Sequence, residues 1–311
     1  MARIRDTAEI GSLRCIRCSF LGRSAKVFLQ TVVLAVGFGQ LVATVKAEDA
    51  KAEPSPAKVA PPAAEGPVKL LFPNPYPQFL SLQIQLVKAQ VKPDWDGMLG
   101  RHQQGGFEIE KYKDADAALP MLTGIRLADG MVAVMAHDAE TLRSVAEEVE
   151  NLAEEMGVDR EKLKSGDGVR KAALEGDWAR VVWELSFLQA EVMDYLNGGK
   201  TIGAEEPRAI LAAFAAFLQA GVYAADLVGE NQNKVDLSNF MRPGRYIDSL
   251  IARKDRLPPD LLNSSRVQIC IRALNIVAKK VDIPMNGVIS AEDIGIIRKT
   301  AQEALDQIVT P

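Results

Sequence analysis

Apolar residues return along most of this chain at intervals of three and four, the spacing that lines one face of an α-helix. Val145, Val149, Leu152 and Met156 form one such stripe, and Glu147, Glu148, Glu150, Glu154 and Glu155 are read as its solvated face. The pattern predicts a helix from a cap at Asp138 to Met156, stopped by Gly157. A second is predicted after Asp177, through WARVVWELSFLQAEVMDYL to Asn197-Gly198-Gly199. Pro207 opens a third, AILAAFAAFLQAGVYAADLV, which is apolar on nearly every side. A helix of that kind is surrounded by others, so Ile210 to Val228 is expected at the centre of a bundle. Further helices are expected at about 244–254, 265–281 and 291–309.

Other stretches are less regular. FLSLQIQLVKAQV alternates like a strand at Leu80, Leu82, Ile84 and Leu86, but Phe79, Leu82 and Leu86 also share a helical face, and no partner strand is evident elsewhere. Helix is the expectation. Residues 94–113, with four glycines, read as loop and short turns, and Ser165-Gly166-Asp167-Gly168 reads as a connection between helices. An apolar helix from Ala115 to Ala136 is expected to kink at Pro120 or break at Gly124 and Gly130. FLQAEV and FLQAGV recur 30 residues apart, a similarity that six helix-forming residues reach by chance. The fold class is all-α: a bundle of about seven to nine helices over residues 68–311, divisible into two subdomains near 157–168.

The N-terminus follows different rules. Arg3, Arg5, Arg14, Arg17, Arg23 and Lys26 precede the uncharged run VFLQTVVLAVGFGQLVA at 27–43, and Val45-Lys46-Ala47 follows. A basic region, an apolar region and small residues at the end have the layout of a secretory leader, with cleavage expected after Ala47. Residues 27–43 fall just short of the roughly 20 that span a bilayer, so an uncleaved anchor is the alternative. EDAKAEPSPAKVAPPAAEGP at 48–67 has little to bury and reads as an extended tether. Export to the periplasm or cell envelope is the expected location, with membrane contact only through the leader if it is kept.

Composition then narrows the function. Removing the leader leaves 30 basic and 39 acidic residues of the full chain's 37 and 41, a net charge of minus nine. An acidic body without a basic stripe is a poor nucleic-acid binder. The leader also takes Cys15 and Cys18, whose spacing would otherwise suggest metal or redox chemistry. Cys270 remains alone in VQICIRALNIV, where a packed thiol is expected rather than a nucleophile.

Chemistry is sparse in what is left. His102 and His137 belong to no metal, haem or hydrolase motif. Trp178, Trp183 and Phe187 do not share one narrow stripe, so core packing is expected of them rather than a ligand-stacking surface. The segment Asp282 to Asp293 resembles a calcium-binding EF-hand loop. In that resemblance Asp282, Asn286 and Asp293 supply side-chain oxygens, Val288 a carbonyl and Ser290 a direct or water-bridged oxygen, with Gly287 at the turn. Pro284 stands where a third oxygen ligand belongs, and Asp293 is shorter than the usual closing Glu. The competing reading takes Asn286-Gly287 as a turn and Ser290 with Asp293 as a helix cap.

Two functions are therefore carried forward. The first is an exported, non-catalytic helical module that binds a protein or small-molecule partner and needs no cofactor. The second is an exported enzyme drawing on scattered groups such as Asp96, His102, His137 and Asp138, with calcium binding at 282–293 as a further alternative.

Overall fold

A computed structural model describes residues 75–112, 117–197, 207–242, 246–284 and 286–311, all within the unit Ala64–Pro311. The leader, the tether, Cys15 and Cys18 lie outside the described residues. Among those described, regular structure is entirely helical, with eleven α-helices joined by turns and short 3-10 segments. They are α1 (Tyr76–Lys88), α2 (Trp95–His102), α3 (Ala118–Ala136), α4 (Ala139–Glu155), α5 (Ser165–Glu175) and α6 (Trp178–Leu196). After these come α7 (Pro207–Asn231), α8 (Tyr246–Ala252), α9 (Pro259–Leu262), α10 (Ser265–Val281) and α11 (Ala291–Val309).

The centre is a pair. α3 packs along α7; α4 covers α3, α5 bridges α4 and α6, and α10 and α11 close over α7. Both central helices are long and apolar enough to cross a membrane, yet α3 is buried along its whole tested window and α7 along 78% of its own. The expected position of Ile210 to Val228 at the core is the observed one. α1 settles its ambiguity as helix: Phe79, Leu82 and Leu86 point inward, and Ile84 is partly exposed.

Caps match the sequence signals. Asp138 accepts from the Glu140 and Thr141 amides, Asp177 from Arg180 and Ser290 from Asp293. Each oxygen satisfies donors that the first helical turn leaves unpaired. Gly157 takes a φ of +87° at the end of α4, a conformation that side chains disfavour.

Glycines account for most of the departures. The helix count exceeds seven to nine because α2 and α5 occupy segments read as loop and connection, and α9 adds a single turn. α2 is held by Asp94, whose side chain accepts from the Gly97 amide at 3.1 Å. In α5, a Cβ on Gly166 would lie 1.7 Å from Glu150 Oε1, and one on Gly168 would lie 2.3 Å from Glu184 Oε2. Glycine is used there for close approach, not to end the helix. α3 likewise does not break: Pro120 sits in its first turn, where the missing amide hydrogen has no helical partner. Gly124 lets the α7 backbone come so near that a Cβ would meet the Ala212 carbonyl oxygen at 2.0 Å.

Candidate functional site

Two apolar helices carry polar residues at helical spacing, and these meet. On α3 they are Arg126 and Asp129, three apart; on α7 they are Gln219, Tyr223, Asp226 and Glu230. Asp129 is fully buried with both oxygens engaged. Oδ1 accepts from Gln219 Nε2 at 2.7 Å and the Tyr223 hydroxyl at 2.8 Å; Oδ2 accepts from Arg126 Nη1 at 2.9 Å and the Gln104 amide at 3.0 Å. A buried carboxylate with four donors is satisfied as an ion, although burial still pushes its pKa up to about 6 against the pull of Arg126. The same burial, with the neighbouring Asp129 charge, raises the Tyr223 phenol well above its ordinary range.

Arg126 spreads the network outward. Its Nη1 also donates to the Gln104 carbonyl at 2.8 Å, and its Nε lies 2.9 Å from Glu148 Oε2. Glu148 in turn accepts from the Gly106 amide at 2.9 Å, while the Gln219 amide donates to the His102 carbonyl at 2.8 Å. The stretch 102–106 is thus tied to α3, α4 and α7 through its backbone.

A second carboxylate gathers the other end. Asp226, its side chain only 4% exposed, pairs with Arg101 at 2.8 Å, His102 Nε2 at 3.0 Å and Arg298 at 2.9 Å. Burial alone would raise this carboxyl, but hydrogen bonds from His102, Arg101 and Arg298 override it and hold it well below the usual carboxylate range. Arg101 also reaches Glu230 at 2.8 Å.

Residues singled out in the sequence are dispersed among these and other roles. His102 is part of the network through Asp226. His137 instead ends α3 in the left-handed region at a φ of +57° and stacks on Trp178, with ring centroids 4.5 Å apart. Burial lowers the His137 pKa, and the Asp96 charge opposes that shift. Asp138 is spent as the cap of α4. Cys270 is buried, and burial pushes its thiol well up. The acidic face of α4 is solvated only in part: Glu150 is 2% exposed and holds Arg160 and Arg170, each at 3.0 Å.

In the EF-hand-like loop, Ser290 donates to Asp293 Oδ2 at 2.7 Å, completing the cap, and Lys280 reaches Asp293 Oδ1 at 2.6 Å. Arg242 donates to the carbonyls of Pro284 and Gly287 at 2.8 and 2.5 Å. The chain's own cations therefore occupy oxygens of this loop. Asp282, Asn286 and Val288 are exposed. A shallow pocket of about 240 Å³ lies beside the loop, lined by Val228, Asp236, Leu237, Ser238, Val288 and Ile289 among others; it includes none of Asp96, His102, His137 and Asp138.

Of the three aromatics expected to pack in the core, Trp178 does so in part, while Trp183 and Phe187 depart from the expectation. Trp183 is 61% exposed and Phe187 54% exposed, their rings stacked 6.2 Å apart at a one-turn separation. Ala179 and Ala190 are exposed on the same strip, which ends at Asp194. The inner face of the helix, Val181, Leu185, Leu188 and Val192, is already filled by smaller aliphatic side chains. Measuring the spacing of Trp183 and Phe187 from each other rather than from Trp178 would have found the pair. Comparison of the chain with family models, curated proteins and solved structures finds no match.

Proposed function

We propose that this chain is an exported, non-catalytic binding module that presents a helical body on a Pro/Ala-rich tether and engages its partner through α6. The observation that carries the reading is the outward strip Ala179, Trp183, Phe187 and Ala190. Large aromatics are enriched at the centres of interfaces because they bury much area with few rotatable bonds. Here they take the solvent side of a helix whose inner face is complete.

The enzyme reading has less support. Its best pair is His102 with Asp226, but that carboxylate is also held by Arg101 and Arg298, and His137 lies flat on an indole. Calcium binding at Asp282, Asn286, Val288, Ser290 and Asp293 would have to displace Lys280 and Arg242 from the loop.

The test is in living cells. A photoreactive benzoylphenylalanine at Trp183 should yield a discrete adduct that the same group at exposed Glu303 on α11 does not. Equal, diffuse labelling at both positions would sink the α6 reading. N-terminal sequencing of the exported fraction should begin at Glu48; recovery of the chain only from the cytoplasm would end the export part.

A further inference from the structure

The outer strip of α6 has an arrangement that can complement itself. Trp183 and Phe187 sit at its middle, the basic Arg180 lies on the N-terminal side and the acidic Asp194 on the C-terminal side. Arg180 keeps 40% of its side chain exposed while holding Glu184 at 3.2 Å and Glu175 at 3.6 Å, and Asp194 is exposed. Opposite charges on the two sides of an apolar centre are what an antiparallel pairing of identical helices requires.

Resting on the reading of α6 as a binding face, we propose that its occupant is a second copy of this chain, paired α6 to α6 about a two-fold axis between Trp183 and Phe187. In that register each Trp183 meets the Phe187 of the other copy, an aromatic pair made twice. A two-fold of this kind brings each flank of the helix against the same flank of its mate. Arg180 then lies about 7.5 Å from the axis along the helix and Asp194 about 13.5 Å from it, at 1.5 Å per residue. The difference of about 6 Å is within the reach of an arginine side chain, so Arg180 of one copy pairs with Asp194 of the other. The opposite flank, Ala179, Ser186 and Ala190, is small enough for the helices to approach.

Area sets the strength. At 150–250 Å² per ring, the exposed shares of Trp183 and Phe187 supply roughly 500 Å² over two copies. Stable interfaces bury about 1,200–2,000 Å², so the pair is the core of a weak dimer.

Sedimentation velocity on the full chain over a concentration series tests this. The wild type should pass reversibly from monomer to dimer. Phe187→Ser should weaken pairing at least tenfold, Arg180→Asp and Asp194→Arg should each weaken it severalfold, and R180D with D194R together should restore it. A wild type that stays monomeric up to about 1 mM, or single reversals that the double change fails to rescue, would overturn the proposal. The mass of the adduct formed by benzoylphenylalanine at Phe187 separates the two levels without any destabilising variant. Twice the chain's mass supports the dimer; a different polypeptide overturns the second copy but leaves α6 a binding face; no adduct overturns both.

Discussion

The Tyr223 hydroxyl on α7 donates to the Asp129 carboxylate on α3 at 2.8 Å, joining the two central helices where both residues are fully buried. The two sides of this bond are unequal. Tyr223→Phe leaves Asp129 with three donors and should lower unfolding free energy by about 1–2 kcal/mol. Asp129→Ala leaves Arg126 with Glu148 alone and takes the acceptor from Gln219, Tyr223 and the Gln104 amide, and should lower it by about 3–5 kcal/mol. Urea denaturation of both variants checks the order; equal losses would mean that Glu148 alone suffices for Arg126.

Acid stability should carry two opposed contributions. Asp129 has a folded pKa of about 6 against an ordinary 3.8, so between those values the folded chain keeps a proton that the unfolded chain releases. Its contribution is present at low pH and lost as pH rises through about 6. Asp226 is held below its ordinary value, so its contribution is present above 3.8 and lost as pH falls. Carbon-13 NMR of the aspartate carboxyls should show Asp129 titrating near 6 with Asp226 still ionised. An Asp129 signal already ionised at pH 4.5 would contradict this.

Two glycines in the central pair should respond in opposite senses. Gly124→Ala pushes a methyl into the Ala212 carbonyl, which neither backbone can avoid without parting the helices, and should destabilise by about 3 kcal/mol or more. Gly221→Ala, in the middle of α7 with open space around it, should stabilise by about 0.5–1 kcal/mol through lost freedom in the unfolded chain. Thermal melts of the two variants suffice; a tolerated Gly124→Ala would show that the helices can separate.

Calcium should not change the melt. With Lys280 on Asp293 and Arg242 on the Pro284 and Gly287 carbonyls, about 1 mM calcium should leave the Tm unchanged, while Arg242→Ala should lower stability by about 1–2 kcal/mol. A clear rise in Tm with calcium would return Asp282 and Asn286 to the ligand set.

How much of this could be read from the letters depended on whether a residue's role was local. Caps at Asp138, Asp177 and Ser290, the turn at Gly157 and the inward stripe of Phe79, Leu82 and Leu86 all act within one or two helical turns, and each was legible. Gly166 and Gly168 misled because their reason lies on other helices, in the carboxylates of Glu150 and Glu184. The polar network was missed for the same cause. Asp129 is 90 or more positions from Gln219 and Tyr223, so nothing local marks the Gln219, Tyr223, Asp226, Glu230 series running through an apolar helix as one side of a network. For α6 the letters sufficed: Trp183 and Phe187 are one turn apart and share a face on which Trp178 does not lie.

The fastening of residues 102–106 separates identity from path. Its anchor points are the His102 and Gln104 carbonyls and the Gln104 and Gly106 amides, groups that every residue other than proline carries. The side chain at 104 is therefore free to drift in character while the number of residues between His102 and Gly106 is not. One residue added or removed there would move the anchors beyond it out of register and uncover the Arg126–Asp129 pair, so this short surface segment behaves as a ruler rather than as a loop.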